Sequence, residues 1–160
     1  MKPVIYLAVA VVSLFGATAE TQELPKSGKY TGKYASHQVP EVAQTYELEK
    51  GHVFVLGRSH GVFLNDVADG FLDKSEVTCA VVSDLVDGVL TAGHGYCIVA
   101  DKDGDKAFLA WEGKDGGGTF KWTGGTGKFS GLQGNNTFRF NGIGKTEAFV
   151  VVWEGEWRLP

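Results

Sequence analysis

Along most of this chain apolar and polar residues alternate one for one, and clusters of Gly, Asp, Asn or Pro interrupt the alternation. A period of two is the pattern of a strand with one buried face. It predicts strands over 28–34, 43–48, 53–64, 76–82, 91–100, 107–112, 116–122, 136–140 and 146–157, the last being the most apolar. Glu49-Lys50-Gly51, Asp87-Gly88 and Asp103-Gly104 stand between these runs as hairpin signals, and 65–74 is a loop rich in Asp and Gly. No convincing helical period appears. Many short antiparallel strands in one small domain favour closure, which removes exposed edges. The expectation is an all-β fold: a single closed eight-stranded antiparallel β-barrel.

Composition sharpens this reading. Glycine makes up 23 of 160 residues and is interspersed with Val, Phe, Tyr, Thr and Trp, as in strands joined by turns. Five of the glycines fall in Gly124-Gly125-Thr126-Gly127-Lys128-Phe129-Ser130-Gly131-Leu132-Gln133-Gly134. A phosphate-binding loop would need Lys-Ser/Thr directly after its last glycine and then a helix. Here Lys128 is followed by Phe129 and the chain runs on into a strand pattern, so the glycines, Gly127 and Gly131 among them, suit turns and close strand contacts.

The first nineteen residues form a separate unit. Lys2 gives a positive start, 4–15 is apolar, and Ala17-Thr18-Ala19 fits a small-x-small cleavage site. The expected organisation is a signal peptide over 1–19, a flexible lead-in over 20–27 and the barrel over 28–160, in a periplasmic or secreted protein. The apolar run is short for a membrane span, and no long uncharged run follows Ala19, so no span is expected after cleavage. The formal net charge of −4 argues against nucleic acid, which requires a basic face.

An exported chain with two cysteines favours a disulfide. Cys79 and Cys97 are equidistant from Gly88, so a three-residue loop with Gly88 in the left-handed region would set them directly opposite one another. A Cys79–Cys97 bridge is therefore expected.

The remaining chemistry is sparse. Asp101-Lys102-Asp103-Gly104-Asp105 superficially suggests a calcium loop, but its glycine is at position four rather than six, and a charged turn is the simpler reading. His37, His52, His60 and His94 are not spaced as metal pairs, no Gly-x-Ser-x-Gly elbow occurs, and neither metal nor cofactor is expected. Asn135-Asn136-Thr137 is a glycosylation sequon, relevant in a eukaryotic source. In the last strand Glu154 and Glu156 should face water, which turns Phe149, Val151, Trp153 and Trp157 inward. His94 shares a strand face with Tyr96 and Ile98. A two-residue turn at Asp103-Gly104 would place Tyr96 opposite Trp111 and Ile98 opposite Leu109. That face is either a ligand-pocket wall or the outer surface, with Cys97 and Val99 then inside. Arg58 and His60 form the other polar pair, on the even face of 53–64, whose odd face carries the smaller side chains. The candidate ligand-binding residues are Trp153, Phe149, Trp157, Tyr96, His94, Trp111, Arg58 and His60; no catalytic residue is assigned.

Gly95-Tyr96-Cys97, the Asp101–Asp105 run, Gly124-Gly125-Thr126-Gly127-Lys128-Phe129-Ser130-Gly131 and the ending Glu154-Gly155-Glu156-Trp157-Arg158-Leu159-Pro160 together resemble secreted bacterial proteins related to the allene oxide cyclase and dirigent barrel group. The Gly-Gly-Thr-Gly-Lys-Phe-x-Gly segment is the part shared most widely, and the second half of the chain carries the resemblance. It implies an allene oxide cyclase-like, calycin-like barrel with a hydrophobic cavity, often a dimer or trimer, and it brings no catalytic residues to this sequence.

Three functions follow as expectations. The first is an exported barrel that binds a small apolar molecule in its lumen. The second is an isomerase or cyclase acting on an unsaturated lipid-like substrate, working by confinement. The third is an interaction or surface module with a filled core. Fold alone does not choose among them.

Overall fold

The computed structural model describes residues 24–142 and 148–160. The expected leader over 1–19 and part of the expected lead-in lie outside the described residues. Those described form nine strands: β1 (Ser27–Gln38), β2 (Gln44–Glu49), β3 (His52–Asn65), β4 (Ser75–Val86), β5 (Val89–Ala100), β6 (Lys106–Lys114), β7 (Gly117–Gly125), β8 (Gly134–Gly142) and β9 (Ala148–Arg158). All neighbours pair antiparallel in the order β1-β9-β8-β7-β6-β5-β4-β3-β2, and β1 also pairs with β3. The expected eight-stranded barrel is therefore closed, by β1 and β3–β9, with β2 as an extra strand. Among the described residues no helix is long and apolar enough to cross a membrane.

The extra strand follows from a bend. β1 and β2 both run antiparallel to β3 along one edge. Between the pairs Gln38↔Ser59 and Gln44↔Leu56 the first chain advances six residues and β3 three. The excess bulges out as a single 3-10 turn, Pro40–Val42, where proline pre-sets the turn dihedral.

β3 turns its odd, smaller face inward, and the crossing with β1 explains why. A Cβ at Gly61 would collide with the β1 backbone at Ala35 and stand 2.7 Å from Ser36 Cα. The larger even face, with Arg58, Val62 and Leu64 exposed and His60 half-buried, is left outside.

The β4–β5 hairpin brings Cys79 opposite Cys97, and they form a disulfide with Cα atoms 4.0 Å apart. The route differs from the expected three-residue loop. Asp87 (φ 50°) and Gly88 (φ 79°) make a two-residue turn of the type whose two central residues both need positive φ. Val86 then faces Val89, and a bulge at Thr91, between the pairs Leu85↔Leu90 and Asp84↔Ala92, restores the register on which the cysteines meet. The Thr91 hydroxyl anchors the bulge by donating to the Asp84 carbonyl at 3.0 Å.

The β5–β6 connection differs from expectation with larger consequences. It spans 101–105, not the Asp103-Gly104 dipeptide alone. The Asp101 carboxylate accepts the backbone N–H groups of Asp103 and Asp105 at 2.9 and 3.0 Å, which holds the longer turn closed. Ala100 pairs with Lys106, so Tyr96 faces Ala110 and Cys97 faces Leu109. A one-residue slip exchanges the two faces of a strand. Cys97, Val99 and Leu109 are buried, whereas Tyr96 is 68% exposed on the outer wall.

One end of the barrel is packed solid. The loop between β3 and β4 drops Phe71 and Leu72 into the barrel end. The Phe71 ring stacks on Trp157 at 4.5 Å and meets Tyr30, Trp122 and Phe129 around its edges. Phe129 and Leu132 come from the glycine-rich connection, whose 3-10 turn spans Gly127–Phe129, and both are almost fully buried. The glycine-rich segment is thus a cap on the barrel end. Gly127 (φ 51°) and Gly131 (φ 72°) sit in this connection and not in a strand contact. Their role is left-handed backbone at points where a Cβ would meet the Asp105 carboxylate or Pro160, the latter at 2.6 Å.

Candidate functional site

Trp153 and Phe120, with ring centroids 5.2 Å apart, partition the interior. Below them lies the aromatic plug. Above them is a cavity of about 410 Å³. Its most deeply buried lining residues, Tyr34, Ser59, Cys79, Cys97, Leu109, Phe120 and Trp153, form the floor, none more than 4% exposed. Val55, Val81, Phe149 and Val151 rise from the floor, Trp111, Phe138 and Phe140 close one side, and Pro40, Ala43 and Thr45 from the β1–β2 bend line the mouth.

Local sequence explains the shape. Gly93 and Gly95 on β5 leave bare backbone under the Trp111 indole, and a Cβ at Gly95 would stand 2.7 Å from its Nε1. The indole therefore lies flat against the wall and packs edge-on against Phe138 at 5.7 Å. Phe140 stacks on Phe149 at 4.9 Å. The disulfide fixes β4 to β5 at floor level, so both sulfurs line the cavity.

The floor has one polar feature. The Tyr34 hydroxyl lies 3.1 Å from Ser59 Oγ and 2.7 Å from Ser36 Oγ, and Ser36 Oγ reaches the His60 carbonyl at 3.0 Å. Burial pushes the Tyr34 phenol above its ordinary pKa, and the hydrogen bonds to Ser36 and Ser59 oppose this only in part. The phenol is neutral at physiological pH. Nearer the mouth Gln38 lines the same space, its Oε1 buried without a hydrogen-bond partner. Among the described lining residues there is no Asp, Glu, Lys, Arg or His.

The sequence-derived candidates divide accordingly. Trp153, Phe149 and Trp111 line the cavity. Trp157 is buried but belongs to the plug, stacked on Phe71. His94 and Tyr96 are on the outer wall, because Cys97, paired with the buried Cys79, turns the alternate residues of β5 outward. Arg58 and His60 are also outside, on the outward face of β3, where His60 Nδ1 contacts the Thr78 hydroxyl at 3.1 Å. The polar floor residues Tyr34 and Ser59 were not among the candidates. The smaller odd face of β3, Ser59 included, was the available signal. Glu154 and Glu156 are exposed and Phe149, Val151 and Trp153 buried, as the alternation in the last strand predicts. Asn135 of the sequon is exposed on β8, while Asn136 points inward. Among the described residues no group of three or more His, Cys, Asp or Glu side chains could hold a metal ion.

No family description and no curated protein matches the chain. Solved structures similar to it include two dirigent proteins. The pterocarpan synthase dirigent protein PsPTS1 is 12% identical with a TM-score of 0.49, over 82% of this chain and 95% of that one. The pterocarpan synthase dirigent protein GePTS1 is 12% identical with a TM-score of 0.46, over 83% and 86%. At these values the likeness is one of barrel architecture, and the neighbours' chemistry says nothing of this chain's.

Proposed function

We propose that this protein binds a small, largely apolar molecule in the open half of its barrel. The observation that carries the reading is the cavity of about 410 Å³ walled by Trp111, Phe138, Phe140, Phe149, Val151 and Trp153. Its size falls within the range of small-molecule sites, and its lining, mostly apolar with few polar groups, is of the same kind. Large rings held by packing against one another need little ordering on binding, which favours affinity. The Cys79–Cys97 disulfide is compatible with an oxidising compartment, and we place the binder outside the cytoplasm on that ground and on the pattern of the leader.

Titration with 1-aminoanthracene, a neutral fluorescent probe, tests the reading. The probe should bind saturably and alter tryptophan emission, with Trp153→Ala reducing that change. If neither this probe nor neutral alkyl ligands bind at saturating concentration, the barrel is an inert interaction module and the proposal falls.

A further inference from the structure

The Tyr34 and Ser59 hydroxyls at the cavity floor and the Ser36 hydroxyl bonded to Tyr34 form one group. Ser36, Tyr34 and Ser59 each carry one O–H, and the His60 carbonyl is the terminal acceptor of the chain. In one arrangement Ser36 donates to the carbonyl and Ser59 to Tyr34. Ser59 Oγ then keeps lone pairs to accept a bond from the cavity. In the other, Ser36 donates to Tyr34 and Tyr34 to Ser59, and the Ser59 proton is free to point into the cavity. Switching requires only three hydroxyl rotations. The pair therefore meets an incoming group as either acceptor or donor.

We infer that the ligand carries a single neutral oxygen, a hydroxyl, phenol or carbonyl, that enters first and bonds the Tyr34–Ser59 pair, with its apolar body against Trp111, Phe138 and Phe140 above. This rests on the proposed binding function and adds the ligand's chemical class and orientation. Ser59 is 2% exposed and Tyr34 3%, so an apolar group against them would leave the pair's remaining hydrogen-bonding capacity unmet in a buried site. An ionised carboxylate is disfavoured for a different reason. The floor offers it two neutral hydroxyls and no cation among the described residues, and a charge buried without a counter-charge is costly. The upward push on the Tyr34 phenol shows the same resistance to charge.

Three ligands of one shape separate these possibilities: 2-naphthol, naphthalene and 2-naphthoate, titrated calorimetrically into the intact protein. The expected result is 2-naphthol binding about tenfold more tightly than either of the others, the worth of one well-placed hydrogen bond. Tyr34→Phe and, separately, Ser59→Ala should bring 2-naphthol down toward naphthalene while leaving naphthalene unchanged. Two variants are used so that one survives if the other melts near the assay temperature. Equal binding of 2-naphthol and naphthalene, or tight binding of 2-naphthoate, overturns the neutral-oxygen inference and leaves the cavity reading standing. Binding of none of the three overturns the cavity reading itself.

Discussion

The Lys128 ammonium lies 2.6 Å from a carboxylate oxygen of Asp103 and also bridges to Asp101, so the glycine-rich cap is tied to the acidic β5–β6 turn. The Lys128 backbone N–H adds a bond to Asp105 at 3.2 Å. The acidic run that superficially suggests a calcium loop thus holds a cation from its own chain. Burial works to lower the Lys128 pKa, but the hydrogen bonds it donates to Asp101 and Asp103, and their negative charge, outweigh it and hold it raised.

Removing that cation should loosen the cap. Lys128→Met keeps the apolar stem and leaves the Asp101 side chain, only 9% exposed, without its counter-cation. Because Lys128 is itself partly exposed, the loss should be about 1 kcal/mol in denaturant unfolding and should shrink as salt is raised. Millimolar calcium should not raise the melting temperature of the unmodified protein. A clear rise would restore the calcium-loop reading.

The plug has a pH dependence of its own. Asp73 accepts the backbone N–H groups of Asn65 and Asp69, both at 3.0 Å, and so ties the loop that carries Phe71. Burial acts to raise its pKa, but these bonds and Lys74 more than offset it, and the carboxyl titrates below its ordinary value. A group depressed in the folded state contributes stability above its unfolded pKa and loses it as pH falls through the folded value. Acid should therefore melt the loop first, seen as rising amide exchange over 66–74 while β4 and β5 stay protected. Asp73→Asn should lose about 1–2 kcal/mol at neutral pH and flatten that acid dependence. An unchanged acid profile in the variant would remove Asp73 as the cause.

How far the sequence reveals this structure varies with the kind of signal. Alternation identifies the strands and the inward face of β9, because Glu154 and Glu156 leave no choice about which side meets water. It does not identify which residues of β6 meet the inward face of β5. There the answer depends on one residue of turn length, set by Asp101 side-chain hydrogen bonds that local residue types do not specify. The cysteine pairing is legible although the predicted loop is not the observed one, because the Thr91 bulge offsets the shorter turn. Phe71 is the least visible. It lies in a run of Asp and Gly that reads as surface loop, and only closure of the barrel end gives it somewhere to be buried.

The disulfide should matter to stability and to the cavity together. It closes a loop with a sequence separation of 18 residues. On the chain-entropy account such a bridge stabilises by about 3 kcal/mol, and the Cys79→Ser, Cys97→Ser double variant should lose an amount of that order. Thiol alkylation and peptide mass mapping of protein isolated without reductant should find neither cysteine labelled before reduction. Two free thiols would overturn the pairing.

Gly131 tests the cap from the opposite side. A valine there would need φ near 72° and would push its Cβ to 2.6 Å from the Pro160 ring. β-Branched residues are strained in that region, and Gly131→Val should cost about 1–3 kcal/mol. A melting temperature equal to that of the unmodified protein would mean that the chain end simply moves aside.

Trp153 stands between a half of the barrel that is full and a half that is not. The two halves share a wall while drawing on different side chains: Phe71, Trp157, Phe129 and Leu132 on one side, Val55, Val81, Phe138 and Phe140 on the other. The packed half can act as a foundation, bearing most of the folding load of the barrel. Residues around the mouth, such as Thr45, Ser83 and Leu85, can then be exchanged at little risk to the fold. Such a division suits divergence, since descendants of one barrel could come to hold quite different guests, and it makes the mouth the natural place to begin redesign.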